Sequence, residues 1–135
     1  MQPPSEPRRK GAIINTRSTI VADAAACCSH GPVTVVTGYF DPLLAWHARE
    51  LERIHGRAGA IAVVVLPLAG ELLPQHARAV LVAALRMIDY VLVADNEDLD
   101  KLFAELNPVE IVRLEDDDLR RRGELIEHVR GQQIR

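Results

Sequence analysis

The sequence is poor in cysteine, lysine and aromatic residues, and it has no long hydrophobic run. Its two cysteines, Cys27 and Cys28, are adjacent. Adjacent cysteines cannot close the loop of a secreted disulfide scaffold, so we expect buried, reduced thiols. The longest apolar stretches, such as 60–68, are far shorter than the roughly 20 residues that cross a bilayer. These absences argue against a disulfide-rich secreted protein and against a membrane protein.

The length and composition are those of a single globular domain. The chain has 135 residues, of which 48% are hydrophobic and 26% charged, with a net charge of -3. No basic field is present to attract nucleic acid or an anionic membrane surface. Residues 1–11 are rich in proline and predict a disordered tail, which leaves 12–135 as the folded domain. The start of the chain lacks the apolar stretch of a secretory signal, so a cytoplasmic location is expected.

Buried runs and amphipathic segments alternate along the domain. Four runs rich in β-branched residues predict strands, at 33–37, 60–66, 90–93 and 109–114. Helical spacing of apolar residues predicts helices at 45–55, 75–88, 98–106 and 117–130, the last ended by Gly131. A further short helix is expected from Thr19, with Ser18 as its cap and Gly31 as its stop.

Strands that are apolar throughout are covered on both faces, and strands that alternate with helices form parallel sheets. We therefore expect an α/β fold, a Rossmann-like doubly wound parallel sheet of four or five strands with helices on both faces. Such sheets bind ligands beyond the carboxyl ends of their strands. Gly38 follows the first long strand, and His47 falls in the first turn of the next helix, where anions are favoured.

Here the residues resemble a known family. The stretch TGYFDPLLAWH resembles the G-x-F-D-x-x-H-x-G-H signature of the nucleotidylyltransferase superfamily. Residues 78–93 and 97–112 are similar to successive helix–strand units of the cytidylyltransferase-like domain in bacterial ADP-heptose synthases. The resemblance extends over nearly the whole domain and implies transfer of a nucleotide from CTP or ATP to a phosphorylated small molecule, with Mg²⁺ accompanying the triphosphate.

The resemblance also implies roles for individual residues. His47 matches the second motif histidine and is the expected catalytic residue. Nucleotide-binding roles are expected for the loop and for two arginines: Gly38, Tyr39, Phe40, Asp41, Trp46, His47, Arg78 and Arg113.

The motif is nevertheless eroded. Leu44 replaces the first histidine, Trp46 replaces the glycine, and the loop before Arg78 contains no lysine. The loss of one transition-state donor typically costs about a hundred- to a thousand-fold in rate, so we expect transfer to be weak or lost, as in a pseudoenzyme. Trp46 is expected to fill the vacated phosphate cavity, while stacking of its ring on a ligand base stays open.

Two other functions stay open at this point. One is an active cytidylyl- or adenylyltransferase that uses His47 with arginines such as Arg78 and Arg113. The other is a non-catalytic structural or regulatory subunit whose 39–46 loop meets a protein partner, and a homo-oligomer is compatible with either. The acidic run 115–118 is interpreted as the start of a helix, and the other histidines lack metal-ligand spacing, so no protein metal site is expected.

Overall fold

The computed structural model describes residues 19–21, 32–55 and 59–134. Five strands form one parallel sheet: β1 (Thr19–Val21), β2 (Val33–Gly38), β3 (Ala60–Val65), β4 (Tyr90–Val93) and β5 (Glu110–Arg113). Their order across the sheet is β1-β4-β3-β2-β5. The helices are α1 (Ala45–His55), α2 (Gln75–Ala83), α3 (Leu99–Leu106) and α4 (Glu115–Ile134), and a 3₁₀ turn at Asn96–Asp98 precedes α3.

Alternate residues of the strands build two separate hydrophobic cores. Val36 and Val63 point to the face that packs against α1 and α2. Val35 and Val64 point to the opposite face, which packs against α3. Because both faces are covered, the central strands are apolar throughout. The predicted Rossmann-like α/β sheet with helices on both faces is confirmed.

The strand order reverses between β2 and β5, and the region beyond the carboxyl ends of these two strands is called the crevice below. From β2 the chain passes through β3 to β4, and it then returns to the other side of β2 as β5. The carboxyl ends of β2 and β5 therefore lie side by side, with Thr37 paired to Arg113. This reversal of strand order is where open α/β sheets bind their ligands.

Several elements differ from the sequence predictions. Thr19–Val21 forms an edge strand on β4, where the start of a helix was predicted. Helix α2 ends at Ala83, because Ala84 and Leu85 turn tightly onto the carbonyls of residues 81 and 82 and bring Ile88 into the core.

Helix α4 begins at Glu115 and continues through Gly131, which was predicted to end it. A Cβ on Gly131 would contact nothing within 4 Å, and a helical glycine costs only about 1 kcal/mol relative to alanine. The predicted tail at 1–11, both cysteines and most of the predicted first helix lie outside the described residues. Within the described ranges, no helix combines the length and apolar character of a membrane span.

Candidate functional site

The loop between β2 and α1 turns its backbone N–H groups toward one point. Gly38 ends β2 and its carbonyl accepts a hydrogen bond from Leu66 N–H. Phe40 follows with a left-handed φ of 52°, and its side chain is fully buried. This backbone geometry aims the consecutive N–H groups of Tyr39 and Phe40 at the same acceptor, an arrangement that forms anion-binding concavities in proteins.

The acceptor is the carboxylate of Asp118, from the first turn of α4. Its Oδ2 accepts hydrogen bonds from Tyr39 N at 2.7 Å and from Phe40 N at 3.2 Å. Its Oδ1 is hydrogen-bonded to His47 Nε2. Asp118 is 4% exposed, so a buried negative charge is held by three donors at the position where the sequence predicts a phosphate.

His47 is locked into one tautomer by its two neighbours. Its Nδ1 accepts a hydrogen bond from Leu44 N–H at 2.9 Å. The proton of the neutral ring therefore resides on Nε2, from which it is donated to Asp118. His47 is 1% exposed. The histidine expected to meet a ligand thus has both ring nitrogens engaged by the protein.

Trp46 covers the other side of this histidine. The two rings stack with centroids 4.0 Å apart and planes inclined by 28°. The guanidinium of Arg121 lies over the indole, 4.7 Å from its centroid. Trp46 is half-buried and packs against the core formed with α1 and α2. Within the described chain, Trp46 Nε1 and Arg121 Nε are buried without a hydrogen-bond partner.

Asp41 is turned away from the crevice. Its carboxylate accepts hydrogen bonds from the backbone N–H groups of Leu72 at 2.6 Å and Leu73 at 2.9 Å. Arg122 of α4 donates to the Asp41 carbonyl at 3.1 Å and to the Gly70 carbonyl at 2.7 Å. Asp41 therefore fixes the loop that precedes α2, and Arg122 fastens α4 to the same region.

Arg78 lies beneath the loop with its side chain fully buried. Its guanidinium donates to the carbonyls of Tyr39 at 2.7 Å, Leu66 at 2.9 Å and Leu73 at 2.9 Å. Its remaining nitrogen pairs with Glu71 at 2.8 Å. All three guanidinium nitrogens are thus engaged by protein groups, and they join Tyr39 of the β2–α1 loop to the segment between β3 and α2.

Arg113 sits at the open edge of the crevice, with 53% of its side chain exposed. It donates to Thr37 Oγ1 at 2.9 Å and pairs with Glu115 at 2.7 Å. The hydrogen bond to Glu115 raises the pKa of Arg113. Burial, followed by the nearby negative charges of Glu115 and Asp118, raises the pKa of Tyr39. An open cavity of about 190 Å³ lies beside Arg113, Glu115 and Asp116.

The Glu115 carboxylate at this edge is fully engaged by protein donors. Glu115 Oε1 accepts from Thr37 and its Oε2 accepts from Arg113, so neither oxygen is left without a donor. Among the residues that the structure describes, no group of three or more His, Cys, Asp or Glu side chains is placed to hold a metal ion.

The structure brings together most of the residues that the sequence selected. Tyr39, Phe40 and His47 converge on one anion position, with Trp46 stacked against them. Arg113 is on the neighbouring strand, whereas Arg78 supports the loop from below and Asp41 faces the loop before α2. Sequence reasoning missed Asp118, although a signal existed. The carboxyl ends of β2 and β5 were expected at the same sheet edge, so an acidic residue in the first turn after β5 could reach that loop.

Comparisons with known proteins support the fold. No protein-family model matches this chain, and no curated protein matches it. Among solved structures, it resembles the crystal structure of a lipopolysaccharide core biosynthesis protein from Thermoplasma volcanium GSS1. The match has 22% sequence identity and a TM-score of 0.55, and it covers 59% of this chain and 71% of the other. At this level of identity the similarity establishes a shared α/β fold.

Proposed function

We propose that this chain is a cytidylyltransferase-like domain that binds a nucleotide or a phosphorylated small molecule weakly and has lost efficient nucleotidyl transfer. The observation that carries the proposal is the engagement of Tyr39 N–H, Phe40 N–H and His47 by Asp118. These donors occupy the place where the family resemblance expects phosphate contacts. A transferase needs them directed at the charge that develops on the phosphoryl group.

The stacked tryptophan supports the same proposal. Trp46 stands where the family signature has glycine, and its ring lies 4.0 Å from that of His47. An indole at this position takes up space that a triphosphate would need. Its partial burial against the core favours the cavity-filling interpretation over a ring that stacks freely on a base.

Residual binding is best placed at the outer edge of the crevice. There Arg113 keeps about half of its side chain accessible and is a cation that a phosphate could reach without displacing Asp118 from the β2–α1 loop. Its pairing with Glu115 offsets part of its positive charge, so we expect weak affinity. Magnesium would arrive with the triphosphate and would neutralise part of the phosphate charge.

The test is pyrophosphate release across a panel of nucleoside triphosphates and sugar phosphates, with magnesium. We expect no release above that of a heat-denatured sample of the same protein, while an active cytidylyltransferase assayed in parallel gives a full signal. Sustained multiple turnover by the natural chain with any pair of substrates would overturn the loss of transfer.

A second candidate function is a non-catalytic structural or regulatory subunit. The packing of Trp46 favours this second function, because its ring lies against His47 and is covered by Arg121. Calorimetric titration with millimolar CTP and ATP separates the two candidates. Weak, saturable heat supports the residual-binding domain, whereas no heat from either nucleotide favours the interaction subunit. Sedimentation of the same sample then tests whether the chain forms a homo-oligomer.

A further inference from the structure

We propose that the Asp118 carboxylate is an internal occupant of the β2–α1 loop that competes with the phosphoryl group of a ligand for the donors of this loop. We rest this inference on the proposed function only for the class of ligand. The site itself is defined by three donors: Tyr39 N–H, Phe40 N–H and His47 Nε2–H.

The donors are built independently of the group that fills them. Tyr39, Phe40 and His47 belong to one short loop and the helix that follows it, and Arg78 fixes that loop through the Tyr39 carbonyl. Asp118 is 71 residues away from His47 in the chain and comes from another helix. The loop therefore has supporting contacts that do not involve Asp118.

A carboxylate and a phosphoryl group can bind to the same donors of such a loop. Both are anions whose oxygens accept charge-assisted hydrogen bonds, and consecutive backbone N–H groups bind either one. His47 adds a donor that is held in the Nε2–H tautomer by Leu44 N–H. The loop thus has three donors that can bind the oxygens of a phosphoryl group. In the protein without ligand, Asp118 is the anion that accepts their hydrogen bonds.

Entry of a phosphoryl group requires the first turns of α4 to move. Asp118 must leave the loop, and its neighbour Arg121 lies over Trp46 in the same arrangement. Near this point α4 is held by polar contacts, because Arg122 donates hydrogen bonds to the carbonyls of Asp41 and Gly70. Trp46 is the single tryptophan of the chain, so its fluorescence reports loss of the Arg121 contact directly.

The competition has a measurable consequence. An internal ligand competes at an effective concentration that is set by its covalent attachment to the chain. The apparent affinity for an external ligand equals the intrinsic affinity multiplied by the fraction of molecules in which the site is open. Removal of the Asp118 carboxylate therefore increases the affinity for a phosphoryl-bearing ligand. We expect an increase of about tenfold or more, because effective concentrations of attached groups reach the millimolar range or above.

The experiment compares Asp118→Ala with the natural protein, using inorganic phosphate and pyrophosphate as probes at constant ionic strength. Melting temperature and Trp46 fluorescence are both followed as functions of probe concentration. Asp117→Ala is the matched control for charge, since it removes one carboxylate from the same turn, where the side chain is about half exposed. Leu51→Ala, in the fully buried core, controls for the general stabilisation of a weakened protein by phosphate salts.

Asp118→Ala is expected to melt at a lower temperature than the natural protein and to recover with a saturable dependence on phosphate or pyrophosphate. The natural protein and both controls should show only a shallow, non-saturating rise. Equal responses in Asp118→Ala and Leu51→Ala would overturn the proposal, and so would equally tight binding to the natural protein.

A second variant keeps the test decisive if Asp118→Ala does not fold. Asp118→Asn preserves the shape of the side chain while removing its charge, and it should bind pyrophosphate with intermediate affinity. In Asp118→Asn, saturating pyrophosphate should shift the amide resonances of Tyr39 and Phe40, and unchanged resonances there would contradict the site. These readouts involve no turnover, so their failure leaves the pyrophosphate-release result, and with it the loss of transfer, standing separately.

Discussion

A Cβ atom added to Gly38 would lie 2.9 Å from Asp118 Oδ2 and 2.9 Å from Phe40 Cε2. The end of β2 therefore requires glycine, because any larger residue would clash with the Asp118 carboxylate and with the phenyl ring of Phe40. Neither neighbour yields easily, because Asp118 is held by three donors and Phe40 is fully buried.

We predict that Gly38→Ala destabilises the protein by about 1–3 kcal/mol, the usual cost of overpacking a close contact. Urea unfolding measures the loss. In a double-mutant cycle, Asp118→Ala should reduce the cost of Gly38→Ala, since one of the two clashing groups is then gone. Strictly additive costs would show that Gly38 and Asp118 do not share the space that the structure assigns them.

Glycines within α4 should respond in the opposite direction. A Cβ on Gly123 or Gly131 would meet nothing within 4 Å, and both lie inside the helix. We predict that Gly123→Ala and Gly131→Ala each stabilise the protein by up to about 1 kcal/mol, since alanine is the better helix former. Destabilisation by Gly131→Ala would instead support the helix end that the sequence predicted at this glycine.

The sheet was predictable from the sequence because its central strands are apolar on both faces. Val33–Gly38 and Ala60–Val65 appear in the sequence as runs rich in β-branched residues, and their parallel pairing follows from the helix between them. The three-residue edge strand β1 has no such signal, and the end of α2 depends on a tight turn that helical spacing does not encode. In the site, the loop and His47 were recognisable, but Asp118 was missed, because its contact with the loop depends on β5 returning beside β2.

Arg78 should behave as a structural residue under mutation. Its buried guanidinium holds three backbone carbonyls and the Glu71 carboxylate. We predict that Arg78→Lys costs about 3 kcal/mol or more, because an ammonium cannot reproduce this planar set of donors and partners are left unpaired. The matched change at the crevice edge, Arg113→Lys, should cost less than about 1 kcal/mol, because its ion pair is exposed to solvent.

Urea unfolding of the two lysine variants checks this difference. If Arg78→Lys were as stable as the natural protein and instead weakened nucleotide binding, the buried arginine would be a ligand-binding residue, as the sequence predicted.

Tyr39 should titrate above the ordinary tyrosine range. Burial is the largest cause of its raised pKa, and the charges of Glu115 and Asp118 add to it. The folded state therefore holds the phenolic proton more tightly than the unfolded state does. The associated stability is fully present below about pH 10, the pKa of an unperturbed tyrosine, and is lost as pH rises through the folded pKa.

Ultraviolet absorbance of tyrosinate measures this pKa in a Tyr90→Phe background, which removes the other tyrosine. Glu115→Gln should lower the pKa of Tyr39 without restoring the ordinary value, because burial remains. Glu127→Gln, which alters an exposed carboxylate near the far end of α4, should leave it unchanged. An unshifted Tyr39 in the parent protein would contradict the proposed closeness of the loop to the start of α4.

Two substitutions convert the β2–α1 loop to the signature of the family that it resembles. Leu44→His with Trp46→Gly rewrites the loop as the family signature, restoring an imidazole and clearing the indole. We expect a somewhat larger thermal shift with millimolar CTP or ATP than the natural protein shows, and still little turnover. Loss of the half-buried Trp46 should cost about 2–4 kcal/mol, somewhat below the cost of emptying a fully buried aromatic site.

The structure adds a condition that the motif alone does not reveal. Asp118 still holds Tyr39 N–H, Phe40 N–H and His47 in the rewritten protein, so the restored donors face an occupied site. The triple variant with Asp118→Ala should therefore give a nucleotide response larger than the sum of the double and single variants, each measured against its own melting temperature. If the triple variant does not fold, Leu44→His with Asp118→Asn retains Trp46 and should still exceed Leu44→His alone. A double variant as responsive as the triple would show that Asp118 is no barrier, and the block would then lie with Trp46 and the missing histidine.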